Sequence, residues 1–134
     1  MDFQLDGRLA RDCVDLGTLE LCRVLLMDDA RFPWVILVPQ RPDRTEIYQL
    51  SEPDRTRLTV ESAHVSQRMA QEFKADKMNI AAIGNLVPQL HLHHIVRYRD
   101  DVAWPAPVWG FESRRPYGAR ARAQMSERLM GLLW

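Results

Sequence analysis

Between Gln89 and His93 polar and apolar residues alternate as Gln-Leu-His-Leu-His. A period of two places successive side chains on opposite faces of a strand. The pattern, carried on by apolar residues, predicts a strand over 87–98. Gln89, His91 and His93 then share one face at spacings of about 6–7 Å, and Leu90, Leu92 and His94 turn to the other. A row of imidazoles is costly to bury without partners, so it belongs in a pocket. The run 34–38, Trp-Val-Ile-Leu-Val, is apolar throughout and β-rich, which predicts a central strand stopped by Pro39. Residues 19–27 begin with alternation and end apolar, a strand buried toward its end. The polar 28–33 turn joins these two as an antiparallel hairpin. A further strand is expected over 77–83, with a turn at Gly84-Asn85. Residues 46–50 fit a short strand or a turn.

Helical spacing appears in three places. Leu5, Leu9, Cys13 and Leu16 predict an amphipathic helix over 5–16, ended by Gly17. Ser51 is a natural N-cap, with Glu52 and Asp54 at the positive end of the dipole and Pro53 in the first turn. From it Leu58, Ala63, Val65, Met69 and Phe73 carry a broken apolar stripe, a long helix reaching Lys74. His64 within it reads as a surface or partly bonded histidine. Ala121, Met125, Leu129, Leu132 and Leu133 give a helix over 119–133, with an apolar stripe for the core or a subunit interface. Residues 100–110 hold too many prolines and tryptophans for a regular element, and ordered loops of that kind lie against something. The fold class is α+β, an antiparallel sheet of about five strands with one long helix and terminal helices, in a single domain over 1–134.

Composition narrows the chemistry. The 134 residues carry 18 acidic and 18 basic side chains, a formal charge of zero, which argues against a partner as densely charged as nucleic acid. Two cysteines, Cys13 and Cys22, make no disulfide framework and suggest reduced thiols in the cytoplasm. The amino terminus, from Met1, lacks the basic start and apolar run of a signal peptide. No apolar run approaches the roughly 18 residues that span a membrane.

The run from Asn79 through Gly84-Asn85-Leu86-Val87 to Gln89-Leu90-His91-Leu92-His93 resembles the signature of the histidine triad (HIT) superfamily. In that signature, His-φ-His-φ-His-φ-φ follows a Gly-polar-x-φ turn, where φ is apolar. His91 and His93 match the second and third histidines. Gln89 stands where the first belongs, so the resemblance is to an atypical subgroup with Gln-x-His-x-His in place of His-x-His-x-His. Trp34-Val35-Ile36-Leu37-Val38-Pro39 is similar to the family's earlier strand, so the resemblance covers most of the chain.

The resemblance implies a nucleotide hydrolase or transferase acting at the α-phosphate of a nucleoside phosphate ester, phosphoramidate or dinucleoside polyphosphate. His91 would be the nucleophile and carry a covalent nucleotidyl group. An imidazole suits this work because its ordinary pKa lets it attack and exchange protons near neutrality. His93, in its charged form, would contact phosphate or the leaving group. Gln89, neutral at any pH, would affect positioning, rate or leaving-group preference. Gly84, Asn85 and Asn79 would serve nucleotide binding, with phosphate oxygens at the turn. Trp34 stands where relatives often carry another histidine near the phosphates, and Asp28 or Asp29 would bind the ribose hydroxyls. No cofactor is implied, although magnesium can accompany a polyphosphate substrate. The expected partners are a small-molecule nucleotide and a second copy in a homodimer, without nucleic acid or membrane.

Other readings stand beside this one. His-x-His on one strand face is also a metal-ligand spacing, with His64 or acids as further ligands. The row also fits a plain polar strand face, or the site of a nucleotide binder or sensor without turnover. Arg114, Arg115, Arg120 and Arg122 fit solvated faces or ion pairs more readily than substrate contacts. Trp104 and Trp109 are as suited to packing as to stacking on a base.

Overall fold

The computed structural model describes residues 2–134, so Met1 lies outside the described residues. In chain order come α1 (Gly7–Asp12), β1 (Cys13–Thr18), β2 (Cys22–Met27), β3 (Trp34–Pro39), α2 (Glu52–Phe73), β4 (Lys77–Ala81), β5 (Leu92–Arg97) and α3 (Ala119–Leu133). The strands form one sheet in the order β1-β2-β3-β5-β4, every neighbouring pair antiparallel. The α+β architecture, the β2–β3 hairpin and the central place of β3 agree with the sequence patterns.

Both faces of the sheet are covered, which is why β3 and β5 are buried along their whole length. On one face Val24, Leu26, Val35, Leu37, Leu92 and Val96 pack beneath Leu58, Val65 and Met69 of α2 and Leu129 and Leu133 of α3. On the other, Leu25, Trp34, Ile36, Val38 and Ile95 meet Leu9, Phe32, Ala103 and Val108, all from α1 or irregular chain. Ser51 caps α2 by accepting from the Asp54 N–H, as its position predicts. The breaks in the α2 stripe have partners of their own. Glu61 is buried and accepts from the Leu21 and Cys22 N–H groups at 2.8 and 2.9 Å, closing the β1–β2 connection.

The helix expected over 5–16 is corrected. Only Gly7–Asp12 is helical, and Cys13–Thr18 pairs with β2 as the sheet's edge strand. Leu5, Leu9 and Cys13 do share a face, but Leu16 packs into the opposite core. Ladder hydrogen bonds to β2 outweigh a helical spacing that spans two elements. Gly17, at φ +128°, takes up the register shift in this pairing. The next strand begins at Cys22 rather than Leu19. Residues 47–49 form a single turn of 3₁₀ helix, neither strand nor simple turn. The histidine strand is shorter than 87–98, because Pro88 and the residues around it make no ladder and pairing starts at Leu92.

One buried cation organises the proline- and tryptophan-rich loop. Arg97 is 1% exposed. Its guanidinium donates to both Asp101 carboxylate oxygens at 2.8 and 3.0 Å, to Asn79 Oδ1 at 2.8 Å and to the Ala106 carbonyl at 2.8 Å. The Phe32 and Trp104 rings lie against it. Burial alone would raise the Asp101 carboxyl, but Arg97 and three backbone N–H groups hold it down to about 2. The loop is thereby fixed over the second face, and Trp109 with it.

Candidate functional site

β5 delivers histidines to both faces. His94 sits opposite Val35 and His93 opposite Ile36 in the β3–β5 register. His94 is sealed under α2, its Nε2 2.8 Å from Ser62 Oγ, and burial pushes its pKa down to about 4. His93 and His91 turn the other way, with ring centroids 4.9 Å apart. Both line a cavity of about 420 Å³, walled by Leu9, Met27, Trp34, Ile36 and Trp109 and by the Gly84–Val87 turn. The two residues are only 6% and 8% exposed, yet each borders this space.

Hydrogen bonds assign the protons. A carbonyl oxygen only accepts, so His91 Nδ1, 2.6 Å from the Gln89 carbonyl, carries hydrogen and Nε2 of the neutral ring is bare. For His93 the assignment is reversed. The Trp34 indole Nε1–H donates to His93 Nδ1 at 3.0 Å, so the proton of the neutral ring sits on Nε2. Burial, then the neighbouring His91 and His94, lowers the His93 pKa to about 3. The ring is therefore neutral in this structure, where the resemblance implies a charged form. Trp109 lies edge-on to both Trp34 and His93, with centroids 6.0 and 5.1 Å away.

The turn opposite the histidines holds Gly84 at φ +70°, a left-handed conformation open to glycine at little cost. Gly84, Asn85 and Leu86 form the rim of the cavity there. A second, smaller cavity of about 290 Å³ lies against Thr45, Glu46 and Gln89 and shares Ile83, Gly84 and His91 with the first.

A sequence profile for the HIT domain matches residues 10–100. The chain belongs to the HIT family. A histidine triad protein from Marinobacter aquaeolei VT8 is 51% identical, with a TM-score of 0.97 over 99% of this chain and 97% of that one. One from Sinorhizobium meliloti 1021 is 44% identical, with a TM-score of 0.94 over 98% and 97%. A third, from Bradyrhizobium japonicum, is 42% identical, with a TM-score of 0.96 over the whole of both chains. Among curated proteins, none matches this chain.

Of the residues read from the HIT pattern, the cavity brings together His91, His93, Trp34, Gly84 and Asn85. Four others stand outside it. Asn79 on β4 is committed to Arg97. Asp28 accepts from the Tyr117 N–H at 2.9 Å and lies 3.5 and 3.7 Å from Arg122 and Arg114, tying down the chain before α3. Its neighbour Asp29 is fully buried and paired with Arg31 at 2.8 Å. Gln89 precedes β5, so it leaves the expected row, and its side chain points to the amino-terminal segment. Of the two loop tryptophans, Trp109 borders the cavity and Trp104 packs on Arg97.

The wall also contains residues the HIT pattern leaves out: Arg8, Leu9, Asp12 and Cys13, from α1 and the start of β1. Asp12 is the cavity's one carboxylate, held by Arg11 at 3.0 Å and Arg114 at 3.5 Å. No spacing marks it, because β1 brings it there by pairing with β2. Burial raises the Cys13 thiol to about 12, so it is an inert wall. His64 stands elsewhere, bonded to the Leu133 carbonyl. Among the described residues no group of three or more His, Cys, Asp or Glu is placed to hold a metal ion, so the His-x-His metal reading lacks its third ligand. Nor, among them, is any helix long and apolar enough to cross a membrane.

Proposed function

We propose that the protein is a nucleotide hydrolase or nucleotidyl transferase acting at the α-phosphate of a nucleoside phosphate ester, phosphoramidate or dinucleoside polyphosphate. The observation that carries this reading is the His91 ring: Nδ1–H held by the Gln89 carbonyl and Nε2 bare, beside a cavity in the ~300–1,000 Å³ range of small-molecule sites. The Nε2 lone pair attacks phosphorus, the bond to the leaving group breaks with its electron pair, and solvent protonates the departing atom. The ring becomes cationic while bonded to phosphorus, and the Gln89 carbonyl at Nδ1 favours that charge. Water then attacks phosphorus, returns the electron pair to Nε2, gives its proton to solvent and releases the nucleotide.

The other residues take supporting parts. His93 Nε2–H donates to a phosphate oxygen, and Trp34 holds the tautomer that makes this possible. The Gly84-Asn85 turn offers backbone and amide donors to the same group. Met27, Ile36 and Trp109 give the nucleoside an apolar bed. No metal enters these steps, although a polyphosphate substrate can arrive with magnesium. The neutrality of His93 favours a second reading, a nucleotide binder with little turnover, since an uncharged His93 sets no cation beside the phosphate to offset transition-state charge.

One assay separates them. Wild type and His91→Ala are incubated with adenosine phosphoramidate and with diadenosine polyphosphates, and AMP release is followed. The wild type should release AMP and the variant should be slower by on the order of a thousandfold. Equal release by both removes His91 from the chemistry, and AMP binding without release favours the binder.

A further inference from the structure

The side chain at the first position of the triad pattern is turned toward the amino terminus. Gln89 Oε1 accepts from the Asp6 N–H at 2.9 Å, and Gln89 Nε2 donates to the Gln4 carbonyl at 2.8 Å. Both halves of one amide are thus used on one short segment of backbone. From Asp6 the contacts continue. Its carboxylate accepts from the Arg8 N–H at 2.8 Å as the cap of α1, and from the Arg8 guanidinium at 3.1 and 3.2 Å. The far side of that guanidinium donates to the Leu86 carbonyl at 2.7 Å, on the turn that faces His91.

The segment that starts at Gln4 is therefore fastened at two places, beside the nucleophile's own support and at the opposite rim. From the second fastening onward it supplies Arg8 and Leu9, with Asp12 next, to the wall of the 420 Å³ cavity. We infer that Gln89 is a positioning residue whose side-chain amide latches the amino-terminal segment as a wall of the site, and so sets how tightly the nucleoside part of a ligand is held. The inference rests on the nucleotide-site reading above. It also divides the labour within one residue: the Gln89 backbone carbonyl orients His91, and the Gln89 side chain serves binding. The latch is partly exposed and made of neutral hydrogen bonds, so its removal should leave the fold intact.

Gln89→Met keeps the length of the side chain and the backbone carbonyl but deletes both hydrogen bonds. Three quantities are read: exchange of the Asp6 amide hydrogen, AMP affinity by calorimetry, and kcat against KM for AMP release. Asp6 exchange should speed up and AMP affinity fall, each by about tenfold, with KM rising in step and kcat nearly constant. Gln89→Glu keeps the acceptor for the Asp6 N–H and should recover part of the protection. If Gln89→Met fails to fold, the same comparison is made between wild type and Gln89→Glu, which loses only the Gln4 bond.

Unchanged Asp6 exchange and AMP affinity in Gln89→Met overturn the latch, as does a Gln89→Glu protein no better protected than Gln89→Met. A fall in kcat at constant KM overturns it too, because the effect then lies on His91. Exchange and AMP binding do not depend on turnover. Should His91→Ala release AMP like wild type, the catalytic reading fails while the latch stands.

Discussion

The two faces of the sheet are closed by different means. Over one face lie α2 and α3, whose apolar stripes interlock with Val24, Leu26, Val35 and Leu37 and leave His94 no access to solvent. Over the other lie a six-residue helix and irregular chain, held by charged and amide groups such as Arg97 with Asp101, Asp29 with Arg31, and Gln89 with Asp6. Regular helices meet a sheet along whole ridges and leave no gap of molecular size. Loops pinned at a few points leave one, and His91 and His93 border it. β5 therefore carries a structural histidine, His94, and a functional candidate, His93, separated only by which way alternate side chains point, with His91 in the residue before the strand.

If point attachments secure the loop cover as firmly as apolar packing secures the helical one, breaking either should cost a similar amount. Asp101→Ala leaves Arg97 buried without its carboxylate and should cost about 3–5 kcal/mol by urea unfolding. Leu129→Ala in the helical cover should cost about 2–5 kcal/mol. A loss below about 1 kcal/mol for Asp101→Ala would mean that the loop stays put without its ion pair, and the contrast drawn here would fail. Acid should act in the same direction. The Asp101 carboxyl is held at about 2 in the fold and near 3.9 when unfolded, so its contribution is complete above about pH 4 and is lost as pH falls toward 2.

The same contrast explains what the residue pattern made legible. The helical cover announced itself: Ser51, the α2 stripe and the α3 stripe located both helices to within a residue or so. The central strand and the Gly84-Asn85 turn were equally plain, and with them His91, His93 and Trp34, which line the cavity. The other cover was hidden. Asp101 and Asn79 meet Arg97 only after the chain has folded, and nothing local distinguishes Asp101 from Asp100. β1 was concealed because Leu5, Leu9 and Cys13 keep helical spacing across the junction of α1 and β1. Asp12, at that junction, was lost with it. Gln89 illustrates the limit most directly: alternation assigned it to the histidine row, but Pro88 keeps it out of the ladder and leaves its amide free to seize Gln4 and Asp6.

Titration tests the two faces together. His93 and His94 are held at about 3 and about 4 by burial on opposite sides of the sheet, far below the ~6.5 of an unfolded histidine. Because the unfolded chain takes up protons that the folded one refuses, stability should fall as pH drops below about 6.5. Two such groups give up to about 2.7 kcal/mol per pH unit until about pH 4, where His94 begins to protonate in the fold as well. His94→Gln should remove roughly half of that slope. An unchanged slope in His94→Gln would mean that the sealed face admits a charged ring, and that the two covers do not differ in the way their packing implies.

The smallest expected effect is the most specific to the open face. Trp34 donates to His93 Nδ1 and so forces the His93 proton onto Nε2, on a ring that borders the cavity. Trp34→Phe keeps an aromatic ring against Trp109 but removes the donor. About 1 kcal/mol of stability should be lost, with AMP release slowed about fivefold if the tautomer matters to the reaction. The decisive reading is the ¹⁵N shift of the two His93 ring nitrogens. In wild type Nδ1 should appear unprotonated from neutral pH down to about pH 4, and in Trp34→Phe the two tautomers should mix. If Nδ1 stays unprotonated in the variant, another group must fix the ring, because burial alone favours the neutral form without choosing which nitrogen keeps its hydrogen.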